Sequence, residues 1–88
     1  MVPATITPDS NHAAVTLLKG FNITEDSSAA AHVRFRKLNV TGQILATVKL
    51  AADGSAMIIF DEPMSSEGGV YVQEVSGSVE GVLYDGSA

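Results

Sequence analysis

The segment that best indicates the fold of this chain is residues 42–50, Gly42-Gln43-Ile44-Leu45-Ala46-Thr47-Val48-Lys49-Leu50. Its apolar residues recur at every second position, which is the spacing of a strand that rests one face on a core. The alternation predicts an inward face made of Ile44, Ala46, Val48 and Leu50. It predicts an outward face made of Leu45, Thr47 and Lys49.

A shorter segment upstream, residues 32–36, alternates in the same way. Val33 and Phe35 are expected to face a core. His32, Arg34 and Arg36 are expected to face outward.

Turn residues divide the rest of the chain into further β-rich segments, which cover residues 15–23, 56–60, 70–75 and 78–84. Asp53-Gly54 predicts a tight turn and Ser76-Gly77 predicts a hairpin turn, because both pairs favour the backbone conformations that such turns need. Gly20 predicts a β-bulge or a close backbone approach. The whole pattern predicts an all-β fold, a small antiparallel β-sandwich or barrel of about six strands.

The first twelve residues differ in composition from the segments that follow. They carry Pro3, Pro8 and a polar run over residues 9–12, which favours an extended N-terminal arm over a helix. We therefore expect an arm over residues 1–12 and a single β domain over residues 13–88. The first residues lack the basic start and continuous apolar stretch of a secretory signal, so we expect synthesis in a cytoplasm.

The overall composition excludes several classes of protein. The chain has 88 residues, no cysteine, and ten acidic against five basic residues, which gives a net charge of −5. The missing cysteine excludes disulfide and redox sites, and the negative charge disfavours a general nucleic-acid binder. The apolar stretches are too interrupted to span a membrane. The small domain has no tryptophan, so its core is thin and association into a homo-oligomer would stabilise it.

Residues that could carry chemistry are few and scattered. His12 and His32 have no nucleophile motif beside them, so a catalytic triad is not predicted. The acidic pairs Glu25-Asp26 and Asp61-Glu62 come at strand ends and are expected to be solvated, with a calcium site between the two loops as the alternative. We therefore predict a non-enzymatic protein with no catalytic residue, no cofactor and no metal site.

The one basic cluster of the chain is Arg34-Phe35-Arg36-Lys37. Alternation places Phe35 in the core, which leaves the cations without an aromatic residue on which a nucleic acid base could stack. The cluster is either a solvated strand face or a docking patch for an acidic protein partner. Aliphatic residues on the second faces of the strands modestly favour a subunit contact, and these are Leu18, Leu45, Val75 and Val82.

Five short sequence segments within residues 13–84, taken in chain order, carry a resemblance to a known group of proteins. They are Val33-Arg34-Phe35-Arg36, Gly42-Gln43-Ile44-Leu45, Val48-Lys49-Leu50-Ala51-Ala52, Phe60-Asp61-Glu62-Pro63 and Gly69-Val70-Tyr71-Val72-Gln73-Glu74-Val75-Ser76-Gly77-Ser78-Val79-Glu80-Gly81. In the order of its strands and glycine-punctuated turns, the chain resembles small β-rich structural proteins of tailed bacteriophages. The resemblance implies a virion protein, and most specifically a capsid decoration (cement) protein that binds the outer shell between capsomers and stabilises it.

The resemblance also implies partners and a mode of binding. The partner would be the major capsid protein or another virion protein, and the protein would form a homo-oligomer, commonly a trimer, in the virion. Its contacts would come from the N-terminal arm, at Pro3, Ile6 and Pro8, and from Arg34 and Arg36.

Two alternatives remain open at this point. One is a different virion role, because similar β domains serve as head–tail connector, tail or baseplate components. The other is a host-glycan-binding β module, which would need an aromatic platform to which only Phe21, Tyr71 and Tyr84 could contribute.

Overall fold

The computed structural model describes residues 2–7 and 9–86. These residues form eight β-strands, and none of them belongs to a helix that could cross a membrane. The strands are β1 (Val2–Thr5), β2 (Ser10–His12), β3 (Leu17–Glu25), β4 (Ala31–Lys37), β5 (Ile44–Leu50), β6 (Ser55–Ser65), β7 (Val70–Ser76) and β8 (Val79–Asp85).

The strand pairings are antiparallel and build two four-stranded sheets. The first sheet has the order β1-β8-β3-β6, and the second sheet has the order β2-β7-β4-β5. The pairs β1–β8, β2–β7, β3–β6 and β4–β5 are nested, so the chain follows one long hairpin that is rolled into two sheets. This is the topology of a jelly roll. The all-β, antiparallel prediction is confirmed, with eight strands in place of about six.

The two additional strands lie in the N-terminal segment. β1 pairs with β8 and β2 pairs with β7, so the extended arm expected over residues 1–12 is not confirmed. Pro3 is compatible with β1 because β1 is an edge strand, where one side makes no ladder bonds. Ile6, which follows β1 in the sequence, is buried, and its N–H donates to the Gly81 carbonyl oxygen at 2.9 Å.

The core lies between the two sheets and is centred on two phenylalanines. The ring centroids of Phe21 on β3 and Phe35 on β4 are 4.9 Å apart, so these rings join the two sheets. Val33 and Phe35 are fully buried, which confirms the inward face predicted for β4. The buried apolar residues are Ile6, Val15, Leu18, Phe21, Ile23, Ala31, Val33, Phe35, Leu50, Val70, Val72, Val79 and Leu83.

Part of the alternation predicted for β5 is wrong, because the strand contains a β-bulge. Phe35 pairs with Ala46 and Arg36 pairs with Ile44, so Leu45 is the extra, bulged residue. A slip of one residue exchanges the two faces of a strand. Ile44 is therefore 42% exposed, and Leu45 packs against the core.

The hairpin predicted at Ser76-Gly77 is also wrong, although a turn is present there. Gly77 has a φ of +70°, and a Cβ at this position would collide with the backbone of Ala30 and Ala31, so the turn requires glycine. However, β7 belongs to the second sheet and β8 to the first. The turn therefore carries the chain from one sheet to the other.

Two other predictions of local structure are confirmed. The turn at Asp53-Gly54 is closed by a hydrogen bond of 2.9 Å from the Gly54 N–H to the Ala51 carbonyl oxygen. The register of β3 shifts between Leu18 and Gly20 against both of its neighbours, which is the predicted bulge. The bulge allows Leu18 and Phe21, three residues apart, to point into the same core.

Candidate functional site

The outer face of the second sheet carries most of the positive charge of the molecule. We use the term basic face for the outward side chains of His32, Arg34 and Arg36 on β4 together with Lys49 on β5. Arg34 is paired with Thr47 and His32 with Lys49, and directly paired residues in a sheet point to the same side. The three β4 side chains are half-buried on this face, in the outward direction that the alternation predicted.

Basic and acidic residues are also separated along the chain, because the basic residues are concentrated on two strands of the second sheet. Four of the five Lys and Arg residues lie on β4 or β5, and none of the ten Asp and Glu residues does. A molecule with a net charge of −5 therefore presents one positive surface. Such a surface attracts carboxylates at short range and orients the approach of an acidic partner.

Arg36 is held in a fixed conformation on the basic face. Its Nε donates to Gln73 Oε1 at 2.9 Å, and its Nη1 donates to the Gly42 carbonyl oxygen at 2.9 Å. A guanidinium has five N–H donors, so Arg36 retains donors for a partner after these two bonds. Lys37, the last residue of β4, forms an exposed ion pair with Glu67 at 3.5 Å, which contributes little to stability.

Arg34 and His32 have polar atoms that the described part of the chain leaves unpaired. Within residues 2–7 and 9–86, the Arg34 guanidinium makes no hydrogen bond or ion pair, and the buried Nε2 of His32 has no hydrogen-bond partner. Burial lowers the pKa of His32 below its ordinary value of 6.5, and the positive charges of Arg34 and Lys49 lower it further. His32 is therefore neutral near pH 7, and Arg34 supplies the charge that an anion would meet.

The residues predicted to contact a partner do not form one surface. Arg34 and Arg36 lie on the same face of β4, whereas Pro3 lies on β1 of the first sheet. Ile6 is part of the buried core, and Pro8 lies outside the described residues.

The two acidic pairs lie near opposite ends of β3. Glu25 is not solvated as expected: it is 3% exposed, and its carboxylate accepts hydrogen bonds from the Ser27 N–H, from Ser27 Oγ at 2.6 Å and from the Asp53 N–H at 2.8 Å. These bonds, that of the Ser27 hydroxyl first, lower the pKa of Glu25 to about 2. Asp61 lies at the other end of β3, where its carbonyl oxygen accepts a hydrogen bond from Lys19 Nζ at 2.8 Å. Asp61 and Glu62 lie within β6, not at a strand end as predicted. The two acidic pairs do not converge, and the described residues contain no acidic or histidine cluster that could hold a metal ion.

His12 has a structural role. Its Nε2 accepts a hydrogen bond from the Thr7 N–H at 2.8 Å, and its Nδ1 lies 3.0 Å from the Val70 carbonyl oxygen. This arrangement assigns the ring proton to Nδ1. The imidazole thereby ties the segment between β1 and β2 to β7.

The three aromatic residues considered for a sugar-binding platform lie apart from one another. Phe21 is in the core, Tyr71 is paired with Arg36 on the second sheet, and Tyr84 is paired with Gly20 on the first sheet. An open groove of about 590 Å³ on the first sheet is lined by polar and apolar residues in similar proportion. The lining residues are Thr5, Ile6, Asn22, Thr24, Glu80, Gly81 and Val82.

The side of the sandwich formed by β5 and β6 is poorly covered. These strands are edges of the two sheets, and Leu50 is the one apolar residue of the two strands that belongs to the buried core. Met57, Ile58 and Ile59 of β6, which we term the apolar edge, are 61%, 45% and 41% exposed. Sequence reasoning missed this surface, although residues 56–60 are a continuous apolar run, and such a run in a strand places apolar side chains on both faces.

No family model, curated protein or solved structure matches this chain. What the molecule does is therefore inferred from its own surfaces, above all the basic face and the apolar edge.

Proposed function

We propose that this protein is a non-enzymatic structural protein of a tailed-bacteriophage virion, and that it decorates the capsid by binding the outer shell between capsomers. The basic face is the observation that carries the proposal. It concentrates cations on β4, a strand that β5 and β7 hold from both sides. The resemblance to small β-rich phage structural proteins supports the choice of the virion, and jelly rolls occur among viral capsid domains.

The chemistry of the basic face fits an acidic protein surface. A partner carboxylate can accept two parallel N–H bonds from Arg34, which is the geometry in which guanidinium groups bind carboxylates. Arg36 offers a second guanidinium in a fixed position, from a backbone site about 7 Å along the strand from that of Arg34.

Binding through a preformed face has a different energetic basis from binding through an arm. An arm that becomes ordered on binding loses conformational entropy, whereas the side chains of the basic face stand on a paired strand. Each contact can be weak, because several copies bound along one seam between capsomers act at a high effective concentration. Separation of the capsomers would then require the contacts of several copies to break together, which is how the protein would stabilise the shell.

Co-sedimentation with purified capsid shells of the phage that encodes this chain tests the proposal. We expect the wild-type protein to pellet with shells at low salt. It should be released as salt increases, because the Debye length falls from about 10 Å at 0.1 M to about 3 Å at 1 M. Arg34→Gln should weaken binding at least about thirtyfold, the loss expected when one partner of a desolvated charge pair is removed.

Lys19→Gln is the matched control for Arg34→Gln. It changes the net charge equally but lies on β3 of the first sheet, so it should bind shells as the wild-type protein does. Wild-type protein that remains in the supernatant would contradict shell binding. Equal binding of all three proteins would contradict the role of the basic face and leave shell binding intact. Immunogold labelling at the neck or tail of the virion, and not on the shell, would contradict decoration.

A further inference from the structure

The apolar edge lies on a strand with an unused hydrogen-bonding side. β6 is the last strand of the first sheet, so every second residue of β6 directs its N–H and C=O away from β3. Met57 points to the outer face of the sheet, because it is paired with the exposed Asn22, and Ile59 follows on the same face. Ile58 points to the core side, opposite Phe21, and is still 45% exposed.

Edge strands are usually protected by charge, proline or a bulge, and β6 is protected over only half of its length. In the second half, residues 60–63 bulge out opposite the single residue Lys19 of β3, and they include Asp61, Glu62 and Pro63. The first half, residues 55–60, contains neither a charge nor a proline. An unprotected apolar half-strand of this kind is a template for pairing with another strand.

A second copy of β6 matches this template when Ile58 faces Ile58. In an antiparallel pair related by a twofold axis, one residue lies opposite its own copy, and the other pairs follow from it. With Ile58 at the centre, Met57 of each copy meets Ile59 of the other copy on the outer face. In the same register Asp61 lies opposite Ser55, so no two acidic residues are paired.

The neighbouring registers are worse because of the acidic residues that flank the uncharged half-strand. With Met57 at the centre, Asp53 would lie opposite Asp61 of the other copy, and like charges directly opposite destabilise a sheet. With Ile59 at the centre, Asp61 would lie opposite Met57. The charges at both ends of residues 55–60 therefore select one pairing.

We propose that this protein forms a twofold dimer in which β6 pairs with β6 of a second copy across Ile58. The pairing joins the two first sheets into one continuous sheet and covers the apolar edge of both copies. Self-complementarity of β6 in this register selects a second copy as the occupant, because apolar side chains meet apolar side chains and Asp61 of each copy meets Ser55 of the other. Long-range repulsion between two molecules of net charge −5 opposes their approach, but the uncharged half-strand adds no like-charge contact to it. The dimer does not depend on shell binding, because the basic face lies on the second sheet.

The mass of the protein in solution tests the dimer directly. Light scattering on a sizing column, over a series of protein concentrations, should give about 18 kDa for the wild-type protein, twice the chain mass of 9.1 kDa. A mass of 9.1 kDa at every concentration would overturn the proposal. A mass of three chains would overturn the twofold pairing, because a trimer needs a heterologous contact.

Two double variants at the same positions test the register. Met57→Glu with Ile59→Glu places acidic residues opposite each other on the outer face and should shift the mass to that of the monomer. Met57→Lys with Ile59→Glu pairs each Lys with a Glu of the other copy in the proposed register only, and should remain a dimer. With Met57 at the centre the same variant would pair Lys with Lys and dissociate.

Val75→Glu is the matched control for an exposed apolar residue outside the dimer. Val75 is 43% exposed at a bulge of β7 in the second sheet, so its replacement should leave the mass unchanged. Far-UV circular dichroism checks that each variant retains its strands. A folded Glu/Glu variant that remains dimeric, or a folded Lys/Glu variant that is monomeric, would contradict the proposed pairing.

Discussion

A single buried hydroxyl group is expected to contribute a large fraction of the stability of this domain. Ser66 is fully buried in the connection between β6 and β7. Its Oγ lies 2.7 Å from the Val15 carbonyl oxygen, to which it donates, and it accepts a hydrogen bond from the Gly69 N–H at 2.9 Å. The hydroxyl therefore joins the turn before β3 to the turn before β7.

Ser66→Ala removes the hydroxyl that makes both hydrogen bonds and leaves the backbone unchanged. The Val15 carbonyl and the Gly69 N–H would be left unpaired, whereas the Thr16 carbonyl keeps its bond from the Ser66 N–H at 3.0 Å. An orphaned buried polar group costs about 1–3 kcal/mol, so we expect a loss of about 3 kcal/mol for the two. In a domain of this size that loss lowers Tm by about 12–24 °C.

Urea and thermal unfolding, followed by circular dichroism at one matched protein concentration, measure this loss. The adjacent Ser65→Ala is the control, because Ser65 is exposed and its replacement should change the stability by less than about 0.5 kcal/mol. If Ser66→Ala is as stable as Ser65→Ala, the hydroxyl is not the link between the two turns, and the reasoning from buried hydrogen bonds is refuted at this site.

Three further predictions concern pH and packing. The pKa of Glu25 is about 2 in the folded protein and 4.5 in the unfolded chain, so its contribution to stability is present above pH 4.5 and lost as pH falls toward 2. In Glu25→Gln the urea midpoint should therefore depend less on pH over this range than in the wild-type protein. The same pH dependence in both proteins would contradict this role of Glu25. NMR titration should give His32 a pKa below 6.5, and Arg34→Gln should raise this pKa because a positive neighbour is removed. A pKa of His32 that is lower or unchanged in the variant would contradict the electrostatic cause. Gly20→Ala should lower the free energy of unfolding, measured by thermal unfolding, by about 1–3 kcal/mol, because its Cβ would collide with the Ile58 carbonyl oxygen. A Gly20→Ala variant as stable as the wild-type protein would contradict this close approach of β3 and β6.

Local alternation predicted the strands well and their faces only in part. β4 keeps a strict period of two, so the burial of Val33 and Phe35 followed directly from the sequence. β5 shows the same pattern, but a bulge at Leu45 exchanges the faces of its first residues. A bulge depends on how the partner strand is paired, and that pairing is not written in the strand itself.

Strand connections could not be predicted for a related reason. Ser76-Gly77 has the residues of a hairpin turn, yet the chain passes there between the two sheets. Turn residues specify local backbone angles, and the sheet that the next strand joins depends on contacts distant in sequence. In the same way, Pro3 suggested a free arm because proline is rare in sheets, whereas the edge position of β1 accommodates it.

The candidate surfaces differ in how visible they were. The outward direction of Arg34 and Arg36 follows from alternation, so the basic face was predictable. The apolar edge was not recognised, because residues 56–60 are apolar throughout and give no indication of which face meets the core. Only the position of β6 at the edge of the first sheet shows that the run is exposed.

Electron cryomicroscopy of capsid shells incubated with the purified protein tests the proposed function most directly. We predict density for this domain on the outside of the shell between capsomers, with the second sheet and Arg34 facing the shell. Bare shells at saturating protein concentration, or domains bound through the first sheet with Arg34 facing solvent, would contradict it.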